Sequence, residues 1–304
     1  MRDPYLLHMF NPNKNVSPFD VNMAYEADFD GVIPYTNVQL EDVHALTQDC
    51  IFSRGPSGVR RTGIFIGGRD FALAEEMLQA ARKAMVPPFE VSVFADPSGA
   101  FTTAAALMAT VEFCIRQQNK GGLEGKTVRI FGGTGPVGIC AGVIAGRCGA
   151  DVTAVSYLGA RHALESIADY NQKYGAKIHA GDGSTEQAEL DLLKEADVVI
   201  ATAKAGIQIL SKDQLQTAGK LIVAADVNAV PPLGLEGIGV HDEGKLIDWH
   251  PNKALGIGAL GIGDLKYRVH HRLFQKMLNA KKPQYFSFTE AFDCARKMVD
   301  DEEE

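Results

Sequence analysis

Short apolar runs rich in β-branched residues alternate with segments of helical spacing from the start of the chain to about residue 100. Residues 5–10, 31–35, 50–53, 63–66 and 90–95 read as strands, and 20–27, 40–47 and 70–85 as the helices between them. Such alternation predicts an α/β layer around a largely parallel sheet. After Asp96-Pro97-Ser98-Gly99 comes a long helical segment, 101–118, with an alanine-rich start. Lys120-Gly121-Gly122-Leu123-Glu124-Gly125 then breaks the chain and is the best domain junction. Beyond it the order is strand, glycine loop, helix, strand, helix, with buried strands at 196–201 and 221–225, in a unit that ends near His250. The segment 256–263 is glycine-dense and is expected to carry the chain back across a cleft. Helical spacing resumes over 264–278 (Leu265, Val269, Leu273, Met277), and a last helix covers 289–298; both are expected to pack on the first domain.

The glycine loop sharpens the picture. The β-branched run Thr127-Val128-Arg129-Ile130-Phe131 ends in Gly132-Gly133-Thr134-Gly135-Pro136-Val137-Gly138, with Gly133, Gly135 and Gly138 at G-x-G-x-x-G spacing. Gly133 allows a sharp turn, Gly135 a close approach to a pyrophosphate, and Gly138 tight packing of helix on sheet. N–H groups at the helix start then receive phosphate charge. Strand before and helix after favour a nucleotide site over a tight structural turn, with Thr134, Pro136 and Val137 completing the loop. The fold class is therefore α/β: a Rossmann doubly wound parallel sheet (120–259) plus a second α/β substrate, or catalytic, domain (1–119 and 260–304), with a cleft between them.

An NAD-specific site needs a carboxylate at the far end of the second strand for the ribose 2′-hydroxyl. Here Asp151 stands at the near end, while Ser156, Tyr157, Arg161 and His162 stand at the far end. A hydroxyl and a cation suit a 2′-phosphate, so NADP is favoured and NAD is not forbidden. The competing reading of Arg161 is a solvated residue at a helix start.

Composition narrows the class. Apolar content of 46% and charged content of 22% are those of a globular protein. The net charge of −8 owes much to the acidic run from Asp300 to Glu304, read as a solvated end. No basic stripe points to nucleic acid. The N-terminus lacks the pattern of a signal peptide, and no apolar run approaches the ~20 residues that span a bilayer. Cys50, Cys114, Cys140, Cys148 and Cys294 show no C-x-x-C spacing and look like buried thiols in a reducing compartment, the cytoplasm. His270 and His271 are adjacent and diverge by ~100° on a helix, so no metal is expected.

Several segments resemble the NAD(P)-dependent methylene-tetrahydromethanopterin dehydrogenases of methylotrophic bacteria: Ser17-Pro18-Phe19-Asp20-Val21-Asn22-Met23, Ile33-Pro34-Tyr35-Thr36, Leu46-Thr47-Gln48-Asp49 and Arg61-Thr62-Gly63-Ile64-Phe65-Ile66-Gly67-Gly68. Phe94-Ala95-Asp96-Pro97, Phe101-Thr102-Thr103, Asp226-Val227-Asn228-Ala229-Val230-Pro231-Pro232 and Gly256-Ile257-Gly258-Ala259-Leu260 carry the resemblance along the chain. It implies a pterin substrate, oxidation of its methylene group to the methenyl state in one-carbon metabolism, and a homo-oligomer, trimer or hexamer. The glycine loop is closer to the NADP-specific branch, some of whose members also accept tetrahydrofolate.

The chemistry asks little of side chains, because the nitrogens flanking the reacting carbon stabilise the cation left by a departing hydride. Lys266 matches a lysine that the family places at the active site, where it would orient the pterin through hydrogen bonds; without the resemblance it reads as a surface helix lysine. Asp20 and Asp96 are candidates for the amino-pyrimidinone edge of the pterin or, equally, for helix caps. Thr102 and Thr103 would line the cleft or start their helix, and Arg54 would meet an anionic substrate tail or solvent. Asp226 and Asn228 end a strand on the cofactor side, and Ala203 and Gly258 are placed with them in the cofactor set. One rival is a methylene-tetrahydrofolate dehydrogenase; the cyclohydrolase activity of that family is not expected, since no tyrosine here has lysine four residues later. Another is a non-catalytic NADP-sensing module, which would need no second set of substrate residues.

Overall fold

The computed structural model describes residues 3–301. Its strands are β1 (Leu6–Asn11), β2 (Gly31–Thr36), β3 (Thr62–Ile66), β4 (Ser92–Ala95), β5 (Thr127–Phe131), β6 (Asp151–Ser156), β7 (His179–Asp182), β8 (Val198–Ala201), β9 (Val223–Asp226), β10 (Glu243–Leu246), β11 (Leu255–Ile257) and β12 (Tyr285–Phe286). The helices are α1 (Pro18–Glu26), α2 (Asp42–Phe52), α3 (Pro56–Val59), α4 (Phe71–Lys83), α5 (Ala100–Gln117), α6 (Pro136–Arg147), α7 (Ala160–Tyr174), α8 (Glu186–Leu193), α9 (Lys212–Gln216), α10 (Ala259–Leu278) and α11 (Phe288–Asp301).

The chain forms two compact units. The first contains residues up to Thr102 and Tyr267–Cys294; the second contains Thr103–Lys266 and the segment from Ala295. All three boundaries fall inside helices, α5, α10 and α11.

In the first unit a five-stranded sheet runs in the order β12-β4-β3-β1-β2, with every pairing parallel. β3 and β4 are buried along their whole length, as strands covered on both faces must be. Phe65, Phe94 and Phe274 meet edge-on or tilted at 5.4–5.5 Å between ring centroids and build the centre of this core. Phe71, Phe101 and Phe288 form a second aromatic cluster, with centroids 4.9–5.6 Å apart.

In the second unit a seven-stranded sheet runs β10-β11-β9-β8-β5-β6-β7. Setting aside the antiparallel edge strand β10, the order is that of a doubly wound dinucleotide fold, reversing direction between β5 and β8. One face packs a core that includes Phe131, Val199, Leu210, Leu215, Leu235 and Ile247.

Two sequence expectations are corrected. Residues 50–53 are not a strand: α2 continues through Phe52, with Val43, Thr47, Cys50 and Ile51 buried at helical spacing. A short apolar run does not distinguish a strand from a buried helix turn, and here the helix period wins. Within the glycine-dense segment, β11 pairs with β9 and α10 begins at Ala259. Its glycines serve close packing, since a Cβ on Gly258 would fall inside the Gly239 carbonyl. One helix, Pro97–Gln117, is in fact long and apolar enough to cross a membrane by length and composition, but 78% of that window is buried within the fold.

Gly146 tests how tightly the second unit is packed. A Cβ there would overlap the carbonyl of Ala176, a backbone group that cannot rotate away. Gly146→Ala is expected to lower stability by about 1–3 kcal/mol, read as a reduced denaturation midpoint.

Candidate dinucleotide and substrate sites

At the carboxyl end of β5 the chain turns at Gly132, which has φ +76°. The turn glycine is therefore Gly132 rather than Gly133. Gly133 is required for another reason: a Cβ there would lie 2.7 Å from the Ile130 carbonyl and 2.8 Å from the Ala154 Cα of β6. Gly138 lies against Gly133 and Thr202, and a Cβ on it would come within 2.7 Å of each. That is the close helix-to-sheet contact its position predicts. Gly135 differs, because a Cβ there would meet only the Gly132 carbonyl, at 3.5 Å. Gly135 is the N-cap of α6 and Pro136 its first residue, so α6 begins beside open space with no side chain capping its end. Thr134, Pro136 and Val137 are part-exposed on the same loop. A shallow cradle of main-chain N–H groups at a helix start, with no side chain in the way, fits an anionic diphosphate.

Thr202, which sequence reasoning missed, closes the cradle from β8. Its hydroxyl donates to the Gly132 carbonyl at 3.0 Å and lies 3.3 Å from that of Phe131. Ala203 follows, with its backbone N 2.6 Å from where a Gly132 Cβ would stand. The only advance signal was a hydroxyl at the end of a buried strand.

The other sequence-selected cofactor residues have internal partners. The Asp226 carboxylate is buried and accepts the N–H groups of Asn228 (2.9 Å) and Leu235 (3.0 Å). Burial raises its pKa, against the backbone N–H groups of Asn228, Leu235 and Gly234, which lower it. Asn228 donates to the Pro232 carbonyl at 2.9 Å and accepts from Val230 N at 2.8 Å. Both side chains shape the loop after β9. The Ser156 hydroxyl is buried, accepts Leu158 N–H at 3.1 Å and lies 2.9 Å from Nδ1 of His162. Arg161 pairs with Glu165 at 3.0 Å, and its side chain is 91% exposed. Gly258 packs against 239–240.

In the first unit, Asp96 follows β4 and is fully buried. One carboxylate oxygen accepts N–H from Phe101 (2.9 Å) and Thr102 (3.2 Å); the other accepts the Thr102 hydroxyl (2.6 Å) and faces His270 Nδ1 at 3.0 Å. Asp96 thus caps the start of α5, and Thr102 is a buried part of that cap. His270, packed among Phe65, Phe94 and Phe274, was set aside in the sequence as half of a poor metal pair. No sequence spacing could reveal a contact between residues 96 and 270. Asp20 is buried in the first turn of α1, after β1. Thr103 is half-buried on α5 and Lys266 half-buried on α10, one helical turn before His270.

Arg54 sits at the opposite end of the sheet. It donates to the carbonyls of Arg61 (3.2 Å) and Pro4 (3.0 Å) and to the Thr62 hydroxyl (3.0 Å), fastening the starts of β1 and β3. Ligands of parallel α/β sheets gather at the carboxyl ends. Among the described residues, no three His, Cys, Asp or Glu side chains cluster to hold a metal ion.

A doubly wound sheet with a glycine cradle at its switch point, in a chain with a second parallel α/β unit, defines a two-unit α/β protein of the dinucleotide-binding class. Shikimate 5-dehydrogenase from Listeria monocytogenes shares this fold, with a TM-score of 0.50, 13% identity, and 97% of this chain and 96% of that one covered. Residues 18–98 match the family model "Methylene-tetrahydromethanopterin dehydrogenase, N-terminal". The NAD(P)-dependent methylenetetrahydromethanopterin dehydrogenase of Methylorubrum extorquens is 44% identical over 294 residues, 97% of this chain and 98% of that protein. "Bifunctional protein MdtA" of the same organism is 31% identical over 296 residues, 97% and 99% of the two chains. The chain belongs to the methylene-tetrahydromethanopterin dehydrogenase family.

Gly138→Ala is expected to push α6 away from Gly133 and Thr202. The cradle should lose dinucleotide affinity by about tenfold or more, measured by calorimetric titration with NADP, consistent with a cost of 1–3 kcal/mol for overpacking.

Proposed function

We propose that this protein oxidises methylene-tetrahydromethanopterin to the methenyl form by hydride transfer to NADP, with NAD as a second acceptor. The observation that carries this reading is 44% identity, along 97% of the chain, to an NAD(P)-dependent methylenetetrahydromethanopterin dehydrogenase. The cradle from Gly133 to Gly138 supports it: these residues, with Thr202 and Ala203 behind them, would hold the diphosphate. Bound nicotinamide supplies the hydride acceptor.

The protein's own contribution is positioning and charge complementarity. No base has to abstract a proton from the reacting carbon, whose neighbouring nitrogens stabilise the cation that forms. Lys266 is proposed to orient the pterin by donating hydrogen bonds, since a cation beside a developing cation cannot act by attraction. Asp20 and Thr103 are proposed to contact the pterin. Asp96 and Thr102 support the substrate region from beneath by fixing the start of α5, and Arg54 has no part in it. A homo-oligomer in the cytoplasm belongs to the same proposal, and light scattering on the purified protein tests the assembly.

The decisive assay offers methylene-tetrahydromethanopterin and methylene-tetrahydrofolate with NADP and with NAD, and follows nicotinamide reduction. Turnover with the methanopterin substrate is expected. Turnover with folate alone would move the protein to the rival reaction, and silence in all four combinations would overturn the reading. Lys266→Ala is expected to lower kcat on the order of 10²-fold, as a misplaced substrate does. Near-normal turnover would remove Lys266 from the site.

A further inference from the structure

The second unit holds an arrangement at the carboxyl ends of β6 and β7 that the hydride reaction does not use. Ser156, the last residue of β6, pairs in register with Asp182, the last residue of β7. The Ser156 carbonyl accepts N–H from Gly159 (3.1 Å) and Gly183 (2.9 Å), tying together the loops that leave both strands. Between them the turn 157–159 reaches outward: Tyr157 is 78% exposed, and Gly159 has φ +94°. A Cβ on Gly159 would meet only Asp182 Oδ1, at 3.9 Å, so the space above this turn is open.

Two side chains of opposite character border that turn. His162, in the first turn of α7, is half-buried and held through Nδ1 by the buried Ser156 hydroxyl at 2.9 Å. That hydroxyl also accepts the Leu158 N–H, and with Nδ1 held by it, Nε2 is the ring nitrogen left to meet a ligand, as a donor when it carries the hydrogen. Asp182 is exposed and accepts the Ser184 N–H at 2.8 Å. Arg161, the cation that the sequence favoured, turns to Glu165 instead. The second strand of a doubly wound unit ends where the adenosine ribose is read.

We propose that His162, positioned by Ser156, distinguishes a 2′-phosphate from a 2′-hydroxyl, with Asp182 opposing the phosphate and favouring the hydroxyl. This rests on the dinucleotide reading of the cradle. An imidazole donor and a carboxylate bordering one turn make a site that accepts both dinucleotides, with the balance between them set by these two residues. His162 is the specificity determinant and Ser156 its positioning residue.

The test is calorimetric titration of the full chain with 2′,5′-ADP and with 5′-ADP, which needs no turnover. His162→Ala is expected to weaken 2′,5′-ADP about 10–100-fold, the range of one hydrogen bond to a charged group, and to change 5′-ADP far less. His162→Gln, which keeps a neutral donor, should fall between. Asp182→Asn should tighten 2′,5′-ADP relative to 5′-ADP. The 5′-ADP affinity reports whether each variant retains its fold. Equal weakening of both ligands by His162→Ala, or no weakening of 2′,5′-ADP, overturns the assignment while leaving the cradle intact. Failure of the unaltered protein to bind either ligand overturns the dinucleotide reading and this inference with it. Parallel kcat/KM values for NADP and NAD should shift in the same ratio.

Discussion

Main chain meets main chain at Gly133 and Gly138, and the second unit is organised around that contact. The end of β5, the start of α6, the Ala154 backbone of β6 and the Thr202 hydroxyl after β8 converge so closely that no Cβ fits at either glycine. This excluded volume brings the N-terminus of α6 over the point where strand order reverses between β5 and β8. Gly135, by contrast, is left uncrowded: a Cβ there would meet only the Gly132 carbonyl.

Polar groups inside the protein do a different kind of work. Asp96, Thr102 and His270 bury a carboxylate, a hydroxyl and an imidazole in an aromatic core, where removing one partner leaves an unsatisfied group at a cost of roughly 1–3 kcal/mol. Their bonds lock the end of β4 to the start of α5 and to the middle of α10. Asp226 and Asn228 do the same for the loop after β9, and Arg54 for the starts of β1 and β3. In each case a side chain that looked like a ligand contact in the sequence is engaged by the protein's own backbone. A short polar residue at the end of a strand suits a loop as well as it suits a substrate. Sequence reading weighed both uses for Asp96, and the cap is the one that the structure displays.

The α/β class, the parallel character of both sheets and the position of the glycine cradle were legible in the sequence. They follow from local properties: β-branched runs of strand length, helical apolar spacing, and glycines whose spacing encodes a fixed turn and a fixed close approach. Residues 50–53 were misread because four apolar or small residues carry too little periodicity to separate strand from helix. At 256–263 the close packing was not legible, because glycine marks both loose chain and the tightest packing. Only the neighbours, here the backbone at 239–240, tell the two apart.

What only the tertiary structure decided is which polar groups face one another. Asp96 and His270 are 174 residues apart, and Ser156 meets His162 rather than offering its hydroxyl outward. The side chain held at the end of β6 is His162, while Arg161, one position away on α7, reaches Glu165 instead. A sequence specifies periodicity and backbone permission residue by residue. Hydrogen bonds between distant segments depend on register, helix phase and burial, and these exist only once the chain has folded.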